Sequence, residues 1–191
     1  MRFEATLQKS IFKPWKINYI DYAKLKRLLK DDDAVNEGSP GKLRGENQTW
    51  TEADEGAFVE ELVNVQLEKV NAFQVDTYSA LRERISKCEA RLEPLVALGD
   101  EQVGSRKNLV DEDKKNELTK LLGELDGASQ EISELEKYSR INYTGFLKAA
   151  KKHDRKRGSN YKVRPLLQVR LAALPFNSED YSPLLYRWVL A

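Results

Sequence analysis

Two long apolar stripes with helical spacing constrain the fold of this chain more than any other feature. The first stripe repeats at alternating intervals of four and three residues, as in a helix packed lengthwise on a partner. It consists of Leu81, Ile85, Cys88, Leu92 and Leu95. The second consists of Leu118, Leu121, Leu122, Leu125, Ile132, Leu135 and Tyr138. Together they predict two long antiparallel helices, over residues 51–98 and 111–157.

End signals support these two helices. Thr51 and Asp54 form a capping-box pattern that begins the first helix, and Pro94 disfavours regular helix beyond residue 93. Acidic residues at 111–113 suit the first turn of the second helix, and Gly158 is a suitable C-terminal cap. A helix over 51–93 would measure roughly 65 Å at about 1.5 Å per residue. A helix of that length needs a long partner to bury its apolar stripe.

The remaining segments are shorter. Apolar spacing predicts helices over 3–12 and 17–31, and Pro14 places a turn between them, giving a helical hairpin over 1–31. The polar segment 32–50, with three glycines and Pro40, predicts a mobile surface loop. Short helices are expected over 162–191, one of them beginning at Ser182-Pro183. No stretch alternates like a strand, so we predict a single all-α domain over 1–191.

The composition excludes several classes of protein. The 191 residues contain one cysteine and one histidine, which rules out an intramolecular disulfide and a Cys/His zinc site. We expect no metal and no cofactor. No apolar run approaches about 18 residues, so no membrane span is expected. The N-terminus lacks the apolar stretch of a secretory signal, and we expect a reducing, cytosolic setting.

The sequence gives little support for an enzyme. His153 lies among lysines with no nucleophile in a recognisable context, and we interpret it as a helix-surface residue. We interpret the acidic run Asp31–Asp33 as a fraying helix end rather than a magnesium site. Cys88 shares a stripe with Ile85 and Leu92, so we expect it to be buried and unreactive. We therefore expect no catalytic residue.

Charge is strongly polarised along the chain. Residues 1–30 carry eight basic and two acidic residues, a net charge of +6. Residues 31–136 carry 12 basic and 26 acidic residues, a net of −14, and residues 137–170 carry 11 basic and one acidic residue, a net of +10. A fold that brings the two basic segments together creates one surface for a phosphorylated or carboxylated anion.

Both basic segments contain side chains suited to such an anion. Four cations share one face of the second long helix, at spacings of three, four and seven residues: Lys148, Lys151, Lys152 and Arg155. The helix dipole explains cations only near the last turn, so Lys148 and Lys151 point to an external anion. Tyr22 and Lys26 are neighbours on the N-terminal hairpin, where a phenol beside an ammonium suits a phosphate oxygen.

Several longer motifs resemble the SPX domain. They are Met1-Arg2-Phe3, Tyr19-Ile20-Asp21-Tyr22-x-x-Leu25-Lys26, Arg140-Ile141-Asn142-Tyr143-Thr144-Gly145-Phe146 and Lys148-x-x-Lys151-Lys152-His153-Asp154. The resemblance covers essentially the whole chain. Pro14-Trp15-Lys16, Trp50 and the segment 179–187 are most similar to accessory subunits of the fungal vacuolar transporter chaperone complex, the polyphosphate polymerase.

The resemblance implies a helical hairpin packed at one end of a bundle with two long helices. It also implies that the domain binds inositol polyphosphates or pyrophosphates and so reports phosphate status to an attached or associated polymerase complex. The implied ligand residues are Arg2, Tyr22, Lys26, Lys148, Lys151, Lys152 and Arg155. Other subunits of that complex are the implied partners, on the cytoplasmic side of the vacuolar membrane, and this fragment alone would be soluble. Glu4 replaces a residue that is usually glycine in the family.

Other functions remain open from sequence alone. A helical adaptor without a small-molecule ligand would explain the long helices but not Lys148 and Lys151. An SPX domain of another phosphate-homeostasis protein is a second alternative. Nucleic-acid binding is disfavoured because the basic segments are compact and the acidic middle repels a polyanion. We therefore predict one composite ligand surface shared by the second helix of the hairpin and the second long helix.

Overall fold

The computed structural model describes residues 2–29, 50–97, 109–157 and 162–187. Within these ranges every regular element is helical, which confirms the all-α prediction. The α-helices are α1 (Arg2–Ser10), α2 (Tyr22–Leu28), α3 (Glu52–Glu60), α4 (Glu68–Ala97), α5 (Leu109–Arg157), α6 (Val163–Ala173), α7 (Pro175–Ser178) and α8 (Ser182–Arg187). No helix in these ranges is both long and apolar enough to span a membrane.

The second helix of the predicted hairpin is shorter than expected. A 3₁₀ helix, Lys13–Asn18, occupies the predicted turn and has Pro14 near its start. Asp21 then caps α2, because its side chain accepts a hydrogen bond from the Lys24 backbone N–H at 2.8 Å. The predicted helix start at residue 17 is therefore wrong by five residues. The predicted mobile loop, apart from Trp50, lies outside the described residues.

The first long helix is built from three consecutive pieces. Thr51 and Asp54 form the predicted capping box at the start of α3. The chain then passes through a π-helical segment, Glu61–Leu67, into α4 while the flanking backbone stays helical. The helix continues beyond Pro94 to Ala97, so the expected interruption after residue 93 is not observed.

The second long helix, α5, is the longest element. It contains 49 residues and begins at Leu109, two residues before the predicted start. Three basic residues, Arg155, Lys156 and Arg157, occupy its last turn, where cations complement the helix dipole. The predicted cap at Gly158 lies outside the described residues.

The chain divides into two compact units. Unit 1 contains residues Met1–Phe73 and Tyr138–Ser178, and unit 2 contains Gln74–Lys137 and Glu179–Ala191. The core of unit 1 is formed by buried apolar side chains from α1, α2, α3 and the end of α5, with contributions from α6 and α7. Its largest fully buried side chains are Leu25, Leu29, Phe58, Leu62, Leu67, Tyr138, Phe146 and Phe176.

In unit 2, α4 and α5 pack antiparallel through the predicted stripes. Leu81, Ile85 and Cys88 are buried, as are Leu121, Leu125, Ile132 and Leu135. Leu118 and Leu122 were expected in the stripe but are 39% and 49% exposed. Ion pairs flank this packing: Arg84 pairs with Glu131 at 2.7 Å, and Arg91 with Glu117 and Glu124.

Cys88 lies in a carboxylate-containing environment. Burial, reinforced by the neighbouring Glu124, raises the pKa of its thiol, although Arg91 and Arg84 oppose the shift. Arg91 pairs with the same Glu124 that Cys88 contacts. The buried position of Cys88 confirms the sequence prediction.

Gly145 marks a close approach between α5 and the N-terminal segment. A Cβ atom at this position would lie 3.0 Å from Ile20 Cγ2 and 3.4 Å from Phe3 Cζ.

Gly145→Ala should therefore lower the free energy of unfolding by about 1–2 kcal/mol through overpacking, although alanine has a higher helix propensity than glycine. A Cβ at Gly123 would meet nothing within 4 Å. In urea titrations Gly123→Ala should instead raise the free energy of unfolding by about 0.5–1 kcal/mol. An equal gain in stability in both variants would contradict the close approach at Gly145.

Candidate anion-binding site

Side-chain hydrogen bonds hold α2 against the last turns of α5. The Ile20 N–H, just before α2, donates to Asn142 Oδ1 at 2.8 Å, and Asn142 Nδ2 donates to the Tyr138 carbonyl at 2.8 Å. At the other end of α2, Lys156 Nζ donates to the Leu29 carbonyl at 2.5 Å. Both ends of α2 are thus tied to α5.

Tyr22 is the first residue of α2 and the first residue that α2 contributes to the site. Its side chain is 9% exposed, and its ring meets the Phe3 ring edge-on at 5.0 Å between centroids. Burial raises the pKa of the phenol; Lys26 and Arg155 oppose this shift and Glu4 reinforces it. Tyr22 therefore keeps its proton over the physiological range and can donate a hydrogen bond to an anion.

Lys26 lies one turn further along α2 and is 6% exposed. Its ammonium forms an ion pair with Glu4 of α1, with 3.0 Å between Nζ and Oε2. A buried ammonium is strongly destabilising without a partner, so an anion at this position is a requirement of the fold. Glu4 supplies that anion in the present structure.

Lys152 projects from α5 towards the same place. Burial lowers its pKa, and the charges of Lys26, Arg155 and Lys156 lower it further, while Glu4 acts in the opposite direction. Cations that lower the pKa of a neighbouring lysine create a positive local field around it. The position therefore favours a further negative charge.

We call these four basic residues the cation cluster: Lys26, Lys152, Arg155 and Lys156. They come from α2 and from the last two turns of α5, which the sequence separates by more than a hundred residues. The cluster contains both long flexible ammonium groups and one planar guanidinium, which together suit several phosphate oxygens in different orientations. Tyr22 adds a neutral donor at its edge.

The other predicted residues lie at varying positions around the cluster. Lys148 is exposed, with its ammonium 5.4 Å from the centroid of the Phe3 ring, which itself contacts Tyr22. Lys151 is exposed on α5 next to Lys152. Arg2 is the first residue of α1, and its side chain lies outside the described part of the structure. Four of the predicted residues are near enough to influence one another electrostatically: Tyr22, Lys26, Lys152 and Arg155.

Two residues of the site have contacts that their positions in the sequence did not reveal. Lys156 was not among the predicted ligand residues, although its ammonium fixes the end of α2. Glu4 had been noted as an unusual carboxylate, without a partner. Its pairing with Lys26 could not be read from spacing, because the two residues lie on different helices.

The surface position predicted for His153 is wrong. The side chain is completely buried, stacks on Phe58 with 4.9 Å between ring centroids, and contacts Glu55 Oε1 through Nε2 at 2.7 Å. A signal for this was present in the sequence. His153 follows Phe146, Ala149 and Ala150 at helical spacing, and all of these are buried.

The network around His153 joins three helices of unit 1. His153 Nδ1 contacts Asp154 Oδ1 at 3.1 Å, and the Asp154 carboxylate accepts the backbone N–H groups of Val163 and Arg164 at the start of α6. On α3, Glu55 also pairs with Arg157, at 3.2 Å between Oε2 and Nε. This network fixes the end of α5, which carries Lys152, Arg155 and Lys156 of the cation cluster.

Comparisons with known proteins cover almost the entire chain. It is 40% identical over 187 residues to vacuolar transporter chaperone complex subunit 2 of Saccharomyces cerevisiae, covering 98% of this chain and 20% of that protein. It is 36% identical over 185 residues to subunit 2 of Schizosaccharomyces pombe, covering 97% of this chain and 22% of that protein. It is 27% identical over 192 residues to SPX domain-containing protein 1 of Arabidopsis thaliana, covering 94% of this chain and 65% of that protein.

No family model matches the chain. The helical fold and the similarity to an SPX domain-containing protein nevertheless fit an SPX domain. More particularly, an SPX domain of a vacuolar transporter chaperone subunit fits the similarity to the two fungal subunits, in agreement with the resemblance noted in the sequence. The chain spans about a fifth of the length of these two fungal relatives.

Proposed function

We propose that this domain binds an inositol polyphosphate or pyrophosphate at the cation cluster and thereby reports cellular phosphate status. The similarity to vacuolar transporter chaperone subunits supports a place in phosphate homeostasis. The observation that carries the ligand proposal is that the buried Lys26 of α2 and the basic end of α5 meet, so that cations from two helices create one positive field. A densely phosphorylated ligand would neutralise that field.

The ligand should carry several phosphates on a compact scaffold. Its phosphates would contact Tyr22 and Lys26 on α2 together with Lys152 and Arg155 on α5. Contacts that are weak singly add within one binding event when one rigid molecule makes all of them. Lys148, Lys151 and Arg2 would extend the surface at its edge. Orthophosphate can satisfy only part of the cluster and should bind poorly.

The role in the larger assembly is regulatory in this proposal. The chain would act as a sensor domain, without catalysis of its own, that adjusts a polyphosphate polymerase complex. Its partners would be other domains or subunits of a vacuolar transporter chaperone complex, on the cytoplasmic face of the vacuolar membrane. Similarity to subunits of that complex supports this assignment.

A comparison of three anions tests the ligand proposal. Titration calorimetry should show inositol hexakisphosphate binding at least about a hundredfold more tightly than orthophosphate, since each charged contact contributes roughly 1.5–3 kcal/mol. A single-stranded RNA oligonucleotide should bind more weakly and lose affinity steeply with added salt. No heat with inositol hexakisphosphate would favour the adaptor alternative, and tighter binding of the RNA would favour a nucleic-acid function.

The lowered pKa of Lys152 predicts a pH dependence of binding. Its pKa lies below the ordinary lysine value of 10.5 in the free protein, and a bound polyanion should raise it. Binding therefore takes up a proton once the pH exceeds the pKa of Lys152 in the free protein, and affinity should fall as the pH rises from there towards the ordinary lysine value of 10.5. Lys152→Arg remains charged throughout this range. The variant should lose distinctly less affinity than wild type, and parallel profiles would contradict the assignment.

A further inference from the structure

Glu4 places a carboxylate inside a site otherwise suited to anions. Its Oε2 lies 3.0 Å from Lys26 Nζ, and the Glu4 side chain is 34% exposed while that of Lys26 is 8% exposed. Glu4 also acts electrostatically on Tyr22 and Lys152: it adds to the raised pKa of Tyr22 and opposes the lowered pKa of Lys152. The same carboxylate therefore acts on all three of the most enclosed groups of the site.

We propose that Glu4 is an internal counter-ion that occupies Lys26 in the unliganded protein and must give way when a ligand phosphate binds there. This inference rests on the proposed function. Lys26 is too enclosed to remain unpaired, so the empty site needs Glu4. A phosphate that takes over Lys26 both breaks this ion pair and meets a like charge.

The position of Glu4 allows such an exchange. It lies in the first turn of α1 and reaches the site from its open side, as its greater exposure indicates. Its carboxylate can therefore return to water when a phosphate replaces it. Every ligand that binds Lys26 must break the Glu4–Lys26 ion pair, so Glu4 raises the ligand concentration at which the site fills. A ligand that contacts only the exposed Lys148 and Lys151 avoids this cost.

Glu4→Gln removes the charge and keeps the shape of the side chain. Titration calorimetry should show inositol hexakisphosphate binding about five- to tenfold more tightly than to wild type, as expected for loss of one partly exposed ion pair. The melting temperature of the ligand-free variant should fall, because Lys26 loses its partner. A gain in affinity together with a loss of stability distinguishes this mechanism from a general improvement of the fold.

Two further variants keep the test decisive. Glu52→Gln removes one exposed carboxylate from the first turn of α3, also in unit 1, and should change affinity by less than about twofold. If Glu4→Gln does not fold, Glu4→Ala removes the same carboxylate with a strong helix former and should give the same gain. An equal gain in Glu52→Gln would overturn the proposal, because net charge alone would then explain the effect.

A double-mutant cycle locates the effect at Lys26. In a Lys26→Met background, Glu4→Gln should give a smaller gain in affinity than in wild type, because the ion pair is already broken and only the like-charge repulsion remains to be removed. Unchanged or weaker binding by Glu4→Gln, with wild-type binding that still depends on Lys152, would overturn the counter-ion role alone. Absence of binding by both wild type and Glu4→Gln would overturn the proposed function as well.

Discussion

Lys152→Ala is expected to weaken inositol hexakisphosphate binding by roughly ten- to one-hundredfold, which corresponds to one well-formed charged contact of about 1.5–3 kcal/mol. The lysine lies among three other cations and is partly buried, so solvent screens its contact with a phosphate less than at an exposed site. Titration calorimetry on the folded variant measures the effect. Its helicity should be unchanged, because the substitution keeps a strong helix former on α5.

Two companion variants decide whether this loss is local. Lys26→Met keeps the buried apolar stem and removes the ammonium, and it should weaken binding by a similar factor. Lys115→Ala removes an exposed lysine from the part of α5 that belongs to unit 2, and it should change affinity by less than about twofold. Similar losses of affinity in all three variants would indicate that the overall charge of the domain attracts the ligand, without a defined binding site.

His153→Ala should lower the free energy of unfolding by about 2–4 kcal/mol. The substitution removes a fully buried ring that stacks on Phe58, and it leaves the carboxylates of Glu55 and Asp154 without its hydrogen bonds. Glu55 retains Arg157 and Asp154 retains the start of α6, so the loss should not reach the cost of an isolated buried charge. Urea titration followed by circular dichroism measures it.

The neighbouring Lys151 provides a matched control for His153. It lies two residues earlier on the same helix and is exposed. Lys151→Ala should change the free energy of unfolding by no more than about 0.5 kcal/mol. Equal stability of both variants would mean that His153 does not hold α3, α5 and α6 together, and that the surface interpretation of this histidine was right after all.

The sequence predicted the helices well where periodicity and caps agreed. Thr51 and Asp54 fixed the start of α3, and the regular stripe through Leu121, Leu125 and Ile132 identified the buried face of α5. Leu118 and Leu122 have the right spacing but remain exposed, because burial also depends on whether α4 has a side chain packed opposite each position. Periodicity on one helix contains no information about its partner's length or register.

Three members of the cation cluster were predictable, because Lys152 and Arg155 share one face of a helix and Lys26 lies in a short motif with Tyr22. Its internal electrostatics were not predictable, because they depend on how α1, α2 and α5 meet. His153 illustrates the same limit. Its basic neighbours in sequence suggested a solvated surface, whereas its spacing from Phe146 and Ala149 placed it in the core. In this instance the helical period was the better guide than local composition.

A crystal structure of the domain with inositol hexakisphosphate would show directly whether the ligand binds between α2 and α5. We expect one ligand there, with phosphate oxygens within hydrogen-bond distance, about 3 Å, of Tyr22, Lys26 and Lys152. We also expect the Glu4 carboxylate to have moved away from Lys26. Ligand density confined to other surfaces, or a site left empty at saturating ligand with the Glu4–Lys26 pair intact, would contradict the proposed site.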